Sequence, residues 1–197
     1  MARPRTVSDK QILDAARRLI RTRGPHVPVE AIAAEVGVSQ QAVLKRFGSR
    51  DQLLIESLRP PPAPAFFAAL EQGPDQRPFI EQLTDISAAV AGLIATQAQD
   101  FAALRWSSAS IRDVLVPPDA PPAPLAAIQQ VSAWLQRCAE RGLIRHDVDA
   151  EATALALIGA LQVRSLFDHL FDQPPIEADH LSYVAVVVDT FGRALRS

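Results

Sequence analysis

Four kinds of side chain in the stretch "VGVSQQAVLKRFGSRDQLL", residues 36–54, can make directed polar bonds from a small area. Gln40 and Gln41 each offer an amide that donates and accepts at once. Ser39 offers a hydroxyl, and Lys45, Arg46 and Arg50 offer cations. That set suits recognition of a polyanion with a patterned edge: amides can pair with base edges and cations with phosphates. Covalent chemistry has little to work with elsewhere. His26, His146, His169 and His180 lack metal-ligand spacing, and Cys138 is a lone cysteine, so neither an internal disulfide nor a thiolate metal site is expected. "FGSRD" is not a nucleophile elbow, and "AERG" and "LIGAL" are not phosphate loops. No metal and no cofactor are expected, and an enzyme is the weaker alternative.

Those side chains need a short helix to carry them. A turn of about 100° per residue places Gln41 and Lys45 opposite Val43 and Phe47, with Ala42 and Leu44 flanking and Gln40 at the N-terminus. So short a helix is not stable alone. Its apolar back must lie on neighbours, and the expected seam is Ile32, Val36, Val38, Val43 and Phe47, with the small Ala33 permitting close crossing. Gly37 is expected to be left-handed and to end the preceding helix sharply. The expectation is a helix-turn-helix.

Local signals place the rest. Ser8 and Gln11 fit a capping box, Val7 a staple onto Ile12, and Gly24 a stop after "RTR". A second helix begins near Pro28 and ends near Glu35, and the third runs from Ser39 to about Phe47. Ser49 and Gln52 suggest a second capping box opening a fourth helix through Leu58. "RPPPAP" at 59–64 interrupts it. Further helices are expected at 64–72, 78–99, 99–116, 124–142, 149–172 and 178–196, with "VPPDAPPAP" as an exposed loop. The fold class is all-α, with a head at 1–59 and a helical body at 60–197.

Charge follows the same division. Residues 1–59 carry eleven Lys/Arg against six Asp/Glu, and residues 60–197 nine against sixteen. A basic head on an acidic body points the head toward a polyanion. At 48% apolar and 21% charged residues the balance is that of a soluble globular protein. The N-terminus lacks the apolar core of a signal peptide, and no uninterrupted apolar run reaches membrane-spanning length. A cytoplasmic location is expected.

Residues 8–58 resemble the N-terminal domain of TetR-family transcriptional regulators. "VEAIAAEVGVSQQAVLKRFGSRDQLL" follows that family's "IA…GVS" turn, aromatic and "F-x-S-K-x-x-L" pattern. The resemblance implies a DNA-binding head, an effector-binding and dimerising body, and a regulator, in most cases a repressor, that binds a palindromic operator as a homodimer. It implies DNA contacts from Ser39, Gln40, Gln41, Lys45, Arg46 and Arg50, with Gln40 and Gln41 as base readers and Arg3 and Arg5 as an arm entering a minor groove. Leu44 stands where the family has Tyr and cannot donate to a phosphate. Arg50 replaces the usual Lys and keeps the charge. Arg46 replaces the usual His and is expected to compensate for Leu44.

For the body, "EATALALIGAL" is apolar nearly all round and the last helix carries a wide stripe. Leu155, Ile158, Leu161, Val184, Val188 and Phe191 are the expected dimer interface. The resemblance implies an effector cavity in the middle helices. Phe66, Phe67, Phe101, Leu104, Arg105, Trp106, Trp134 and His169 are its candidate lining, with Gln162 and Arg164 as further polar groups, for an apolar or aromatic small molecule. In the family the fourth helix is the lever between cavity and head; Pro60–Pro62 cut it short here. The alternative is a constitutive or protein-recruiting helix-turn-helix protein with no effector.

Overall fold

The computed structural model describes residues 7–24, 26–59, 64–104, 110–116, 122–171 and 178–196, with backbone alone for 64–67, 99, 101–104, 111, 123 and 169–171. Every element among them is helical: α1 (Asp9–Arg23), α2 (Val29–Val36), α3 (Gln40–Phe47), α4 (Arg50–Leu58), α5 (Pro64–Gln72), α6 (Phe79–Leu104), α7 (Ile111–Leu115), α8 (Ala123–Glu140), α9 (Ala150–Phe171) and α10 (His180–Leu195). They form two compact units. The first takes residues 1–60 and 99–120, the second 61–98 and 121–197.

In the first unit, local chemistry sets each helix end. Ser8 accepts the Gln11 N–H while Gln11 Oε1 accepts the Ser8 N–H at 2.9 Å, the reciprocal capping box expected. Ser49 accepts from the Gln52 N–H at 3.0 Å, but Gln52 turns its amide to Glu56 Oε1, also 3.0 Å away. The second box is therefore half-formed: Ser49 caps the helix, while the Gln52 amide bonds along it. Ile12, Ala16, Leu19 and Ile20 of α1 meet Ile32, Ala33, Val43, Phe47, Leu53, Leu54 and Leu58 in one core.

Residues 99–116 depart from the expected division. α6 is one helix through Leu104, with no end near residue 99. "ATQAQD" holds neither Gly nor Pro, so nothing breaks the helix there. α7 starts separately at Ser110, which forms a capping box with Asp113. These residues were expected in the body but belong to the first unit, because Val114 is buried in its core and Asp100 pairs with Arg21 of α1.

The second unit is a helical body whose densest packing is between α8 and α9. Phe79 of α6 stacks on Trp134 of α8, with ring centroids 5.8 Å apart and an interplanar angle of 15°. Arg137 and Arg141 donate to the Leu70 and Pro74 carbonyls, satisfying acceptors at the end of α5. α10 lies so close to α6 that a side chain at Gly192 would meet Ile80 Cδ1 at 2.3 Å. Residues 79–98 and 150–168 have membrane-spanning length and a mean hydropathy of 1.2. Here their Leu83, Val90, Ala154 and Leu157 fill the unit's core.

Candidate nucleic-acid interface

The turn that presents α3 is built by its backbone. Gly37 has φ 74° and ψ 33°, the left-handed conformation expected. Its N–H donates to the Ala34 carbonyl at 3.2 Å, and the Val38 N–H reaches back to Ala33 at 3.0 Å. These two bonds make a Schellman motif, which closes α2 in one step. Ser39 then caps α3 by accepting the Ala42 N–H at 3.2 Å. Two helix ends are thus satisfied within six residues, so α3 leaves α2 at a fixed angle.

α3 is pinned by its back. Val43 is fully buried and Phe47 nearly so, and burial of each is worth about 1.5–3 kcal/mol. Gln41 and Lys45 are exposed on the opposite face, and Gln40 is half-buried at the first turn. Among the described residues none of the three has a side-chain hydrogen bond, so their polar groups are available to a ligand. Ser39 is exposed but spends its oxygen on the cap. Leu44 is half-buried against the head core, which gives this departure from the family's Tyr a packing role.

The cations are disposed differently from one another. Arg46 Nη1 donates to the Val7 carbonyl at 2.5 Å and lies 3.3 Å from Asp9 Oδ1. Its guanidinium ties the end of α3 to the start of α1. Arg50, at the first position of α4, lies 3.7 Å from Asp51 Oδ1 and beside the apolar groove of Ile20, Val27, Ile32, Leu53 and Leu54. Lys45 is the cation that stands forward of α3. Arg3 and Arg5 lie outside the described residues.

Two α1 arginines that had drawn no functional expectation brace this arrangement. Arg17 Nε and Nη2 donate to the Ser57 and Arg59 carbonyls at 2.6 and 2.5 Å, capping the C-terminus of α4. Arg21, one turn on, forms a two-pronged bond to Asp100 at 2.7 and 2.9 Å. Asp100 is buried, and its hydrogen bonds hold the Arg21 pKa above its ordinary value. The i,i+4 spacing of the two arginines was the one signal in the chain that they share a face.

The body residues sort differently from expectation. Ile158, Leu161, Val184 and Val188, expected at an interface between copies, are buried within their own unit, and Phe191 packs partly against the same core. Leu155 is exposed, at 57% of its surface, and Val163, Leu166, Phe167 and Val186 are exposed with it. The reason is helical phase: a helix apolar on nearly all sides does not reveal which stripe its own core takes. Trp134 is buried and stacks on Phe79. The side chains of Phe66, Phe67, Phe101, Leu104 and His169, and Arg105 and Trp106 entirely, lie outside the described residues. Gln162 is exposed, and Arg164 is buried with its guanidinium 5.3 Å from the Tyr183 ring centroid.

Residues 12–56 match the family model described as bacterial regulatory proteins, tetR family. No curated protein matches the chain. Among solved structures, one of a TetR-family regulator from Mesorhizobium loti superposes with a TM-score of 0.70 at 14% identity, covering 96% of each chain. One concerned with control of antibiotic production by bacterial hormones gives 0.65 at 24% identity, over 96% of this chain and 97% of that one. The complex of SmeT with triclosan gives 0.64 at 18% identity, over 96% and 91%. The similarity establishes a shared fold along nearly the whole chain.

Proposed function

We propose that this chain, whose head is that of the tetR family of bacterial regulatory proteins and whose fold is shared throughout with such regulators, acts as a transcriptional repressor that binds a palindromic operator as a homodimer. The observation that carries the reading is α3. Its apolar back is buried through Val43 and Phe47, and its forward face offers Gln41 and Lys45 with no internal partner among the described residues. A helix held in that way can enter a major groove, with Gln40 and Gln41 bonding base edges and Lys45 and Arg50 meeting phosphates.

Dimerisation is proposed through the exposed apolar face of α9 and α10: Leu155, Val163, Leu166 and Val186. So many large apolar side chains on two adjoining helices are unfavourable in water and would be covered by a second copy. Twofold symmetry then supplies two reading helices. An apolar or aromatic small molecule is proposed as the effector, in keeping with the triclosan held by SmeT. The competing reading is constitutive DNA binding with no effector. Selection of duplexes from a random pool tests the DNA-binding reading. Enrichment of a two-half-site palindrome is expected, and recovery of no common sequence contradicts it.

A further inference from the structure

Besides Val43 and Phe47, which pin its back, α3 carries two more apolar residues, Ala42 and Leu44. Successive side chains stand about 100° apart around a helix. Measured from Gln41, Lys45 lies about 40° to one side, Leu44 about 60° to the other, and Val43 about 160° away. Leu44 thus stands at the edge of the forward face. Its burial agrees with that phase: Val43 is fully buried, Gln41 is exposed, and Leu44 is intermediate between them. One side of Leu44 packs on the head core. The rest of its surface faces away from Val43, toward Gln41. Residues three apart on a helix are neighbours, with Cβ atoms about 5–6 Å apart.

A single half-open leucine is ordinary on a protein surface. This one adjoins the amide and the cation proposed to enter a major groove. A leucine side chain has no polar atom, so it can bond neither a base edge nor a phosphate. It gains only by leaving water against another apolar group. In the major groove guanine, cytosine and adenine present donors and acceptors, and thymine alone adds a projecting methyl group. Contact with that methyl is the base-specific contact open to Leu44.

We infer that Leu44 is a specificity-determining residue that reads the 5-methyl group of a thymine close to the base that Gln41 bonds. The inference rests on the proposed DNA-binding role of α3. The spacing of about 5–6 Å between neighbouring Cβ atoms, against about 3.4 Å per base pair, places that thymine about one to two steps from the pair that Gln41 reads. Sequence discrimination is then shared between an amide and an apolar side chain.

The test uses the full chain and a duplex selected from a random pool. Each thymine of one half-site is replaced in turn by deoxyuridine, which keeps the base pairing and removes only the methyl group. At the thymine that Leu44 reads, wild-type affinity should fall about fourfold, the worth of one apolar carbon returned to water. Leu44→Ala should bind the thymine and uridine duplexes alike at that position. Leu44→Met, which keeps an apolar chain of similar volume, should retain the preference. Each comparison sets two duplexes against one protein, so any loss of folded protein in a variant cancels. Equal wild-type affinity for every uridine duplex would overturn the inference without recourse to a variant. So would an undiminished preference for thymine in Leu44→Ala, because the methyl would then act through another residue or through duplex shape. A scrambled duplex separates this inference from the reading beneath it. A wild type that prefers the selected duplex but is indifferent to uridine keeps the DNA-binding reading and loses the role of Leu44. A wild type that prefers neither duplex loses both.

Discussion

Arg46 and Val7 are joined across 39 residues: the guanidinium of the one donates to the carbonyl of the other at 2.5 Å. This bond fixes the end of α3 against the start of α1, so a cation adjacent in sequence to Lys45 has a different task. Arg46→Ala should lower the thermal midpoint slightly, since an exposed charge-assisted bond contributes about 0.5–1 kcal/mol. It should leave the slope of log affinity against log salt close to wild type. A slope reduced by a full unit would show that Arg46 neutralises a phosphate instead.

The turn before α3 should be intolerant of a side chain. Gly37→Ala keeps the space around it open, since nothing lies within 4 Å of an added Cβ. The cost is in the backbone, because φ of 74° is unfavourable for any residue with a Cβ. A loss of about 1–2 kcal/mol is expected by denaturant titration. Val43→Ala acts by the other route, through a cavity behind α3, and a loss of about 2 kcal/mol is expected.

Most of the head was legible because its signals are local. Ser8 with Gln11, Gly37 and Ser39 each act within four residues, and the structure shows each doing what its type suggests. The place of Asp100 and Val114 in the first unit was not legible. Arg21 and Asp100 are 79 residues apart, and nothing about Val114 marks it as belonging to a core built from residues before 60. The outward stripe of α9 was illegible for a different reason. Leu155, Ile158 and Leu161 are all aliphatic, and only the packed structure tells the exposed one from the buried two.

That distinction makes the dimer testable. Leu166→Asp and Val186→Asp place charges on exposed positions, so each should leave the chain folded and shift it toward monomer. Val188→Asp and Leu161→Asp bury an unpaired charge in the core of one subunit and should unfold it. Sedimentation and circular dichroism on all four variants separate the effects. A folded Leu166→Asp variant that remains fully dimeric would move the interface elsewhere.

Cys138 should behave as an inert thiol. Burial pushes its pKa up to about 12 from an ordinary 9.0, partly countered by Arg137 and Arg141. The protonated thiol is therefore favoured in the fold, and this contribution to stability is fully present below pH 9.0. It is lost as pH rises from there, because the unfolded chain ionises first. A disulfide reagent at neutral pH should label Cys138 no faster than the protein unfolds, and the urea midpoint should fall as pH passes 9.0. Rapid labelling of the native protein would contradict the buried placement.

The central claim is that the forward face of α3 reads DNA, and anisotropy titration of a selected duplex against a scrambled one tests it most directly. Wild type should prefer the selected duplex at physiological salt. Lys45→Ala should weaken both duplexes alike and lower the salt slope by about one unit. Gln41→Ala should instead lose discrimination, by about 1–3 kcal/mol at one base pair. Equal wild-type affinity for the two duplexes, or a Gln41→Ala variant that discriminates as well as wild type, would contradict the account.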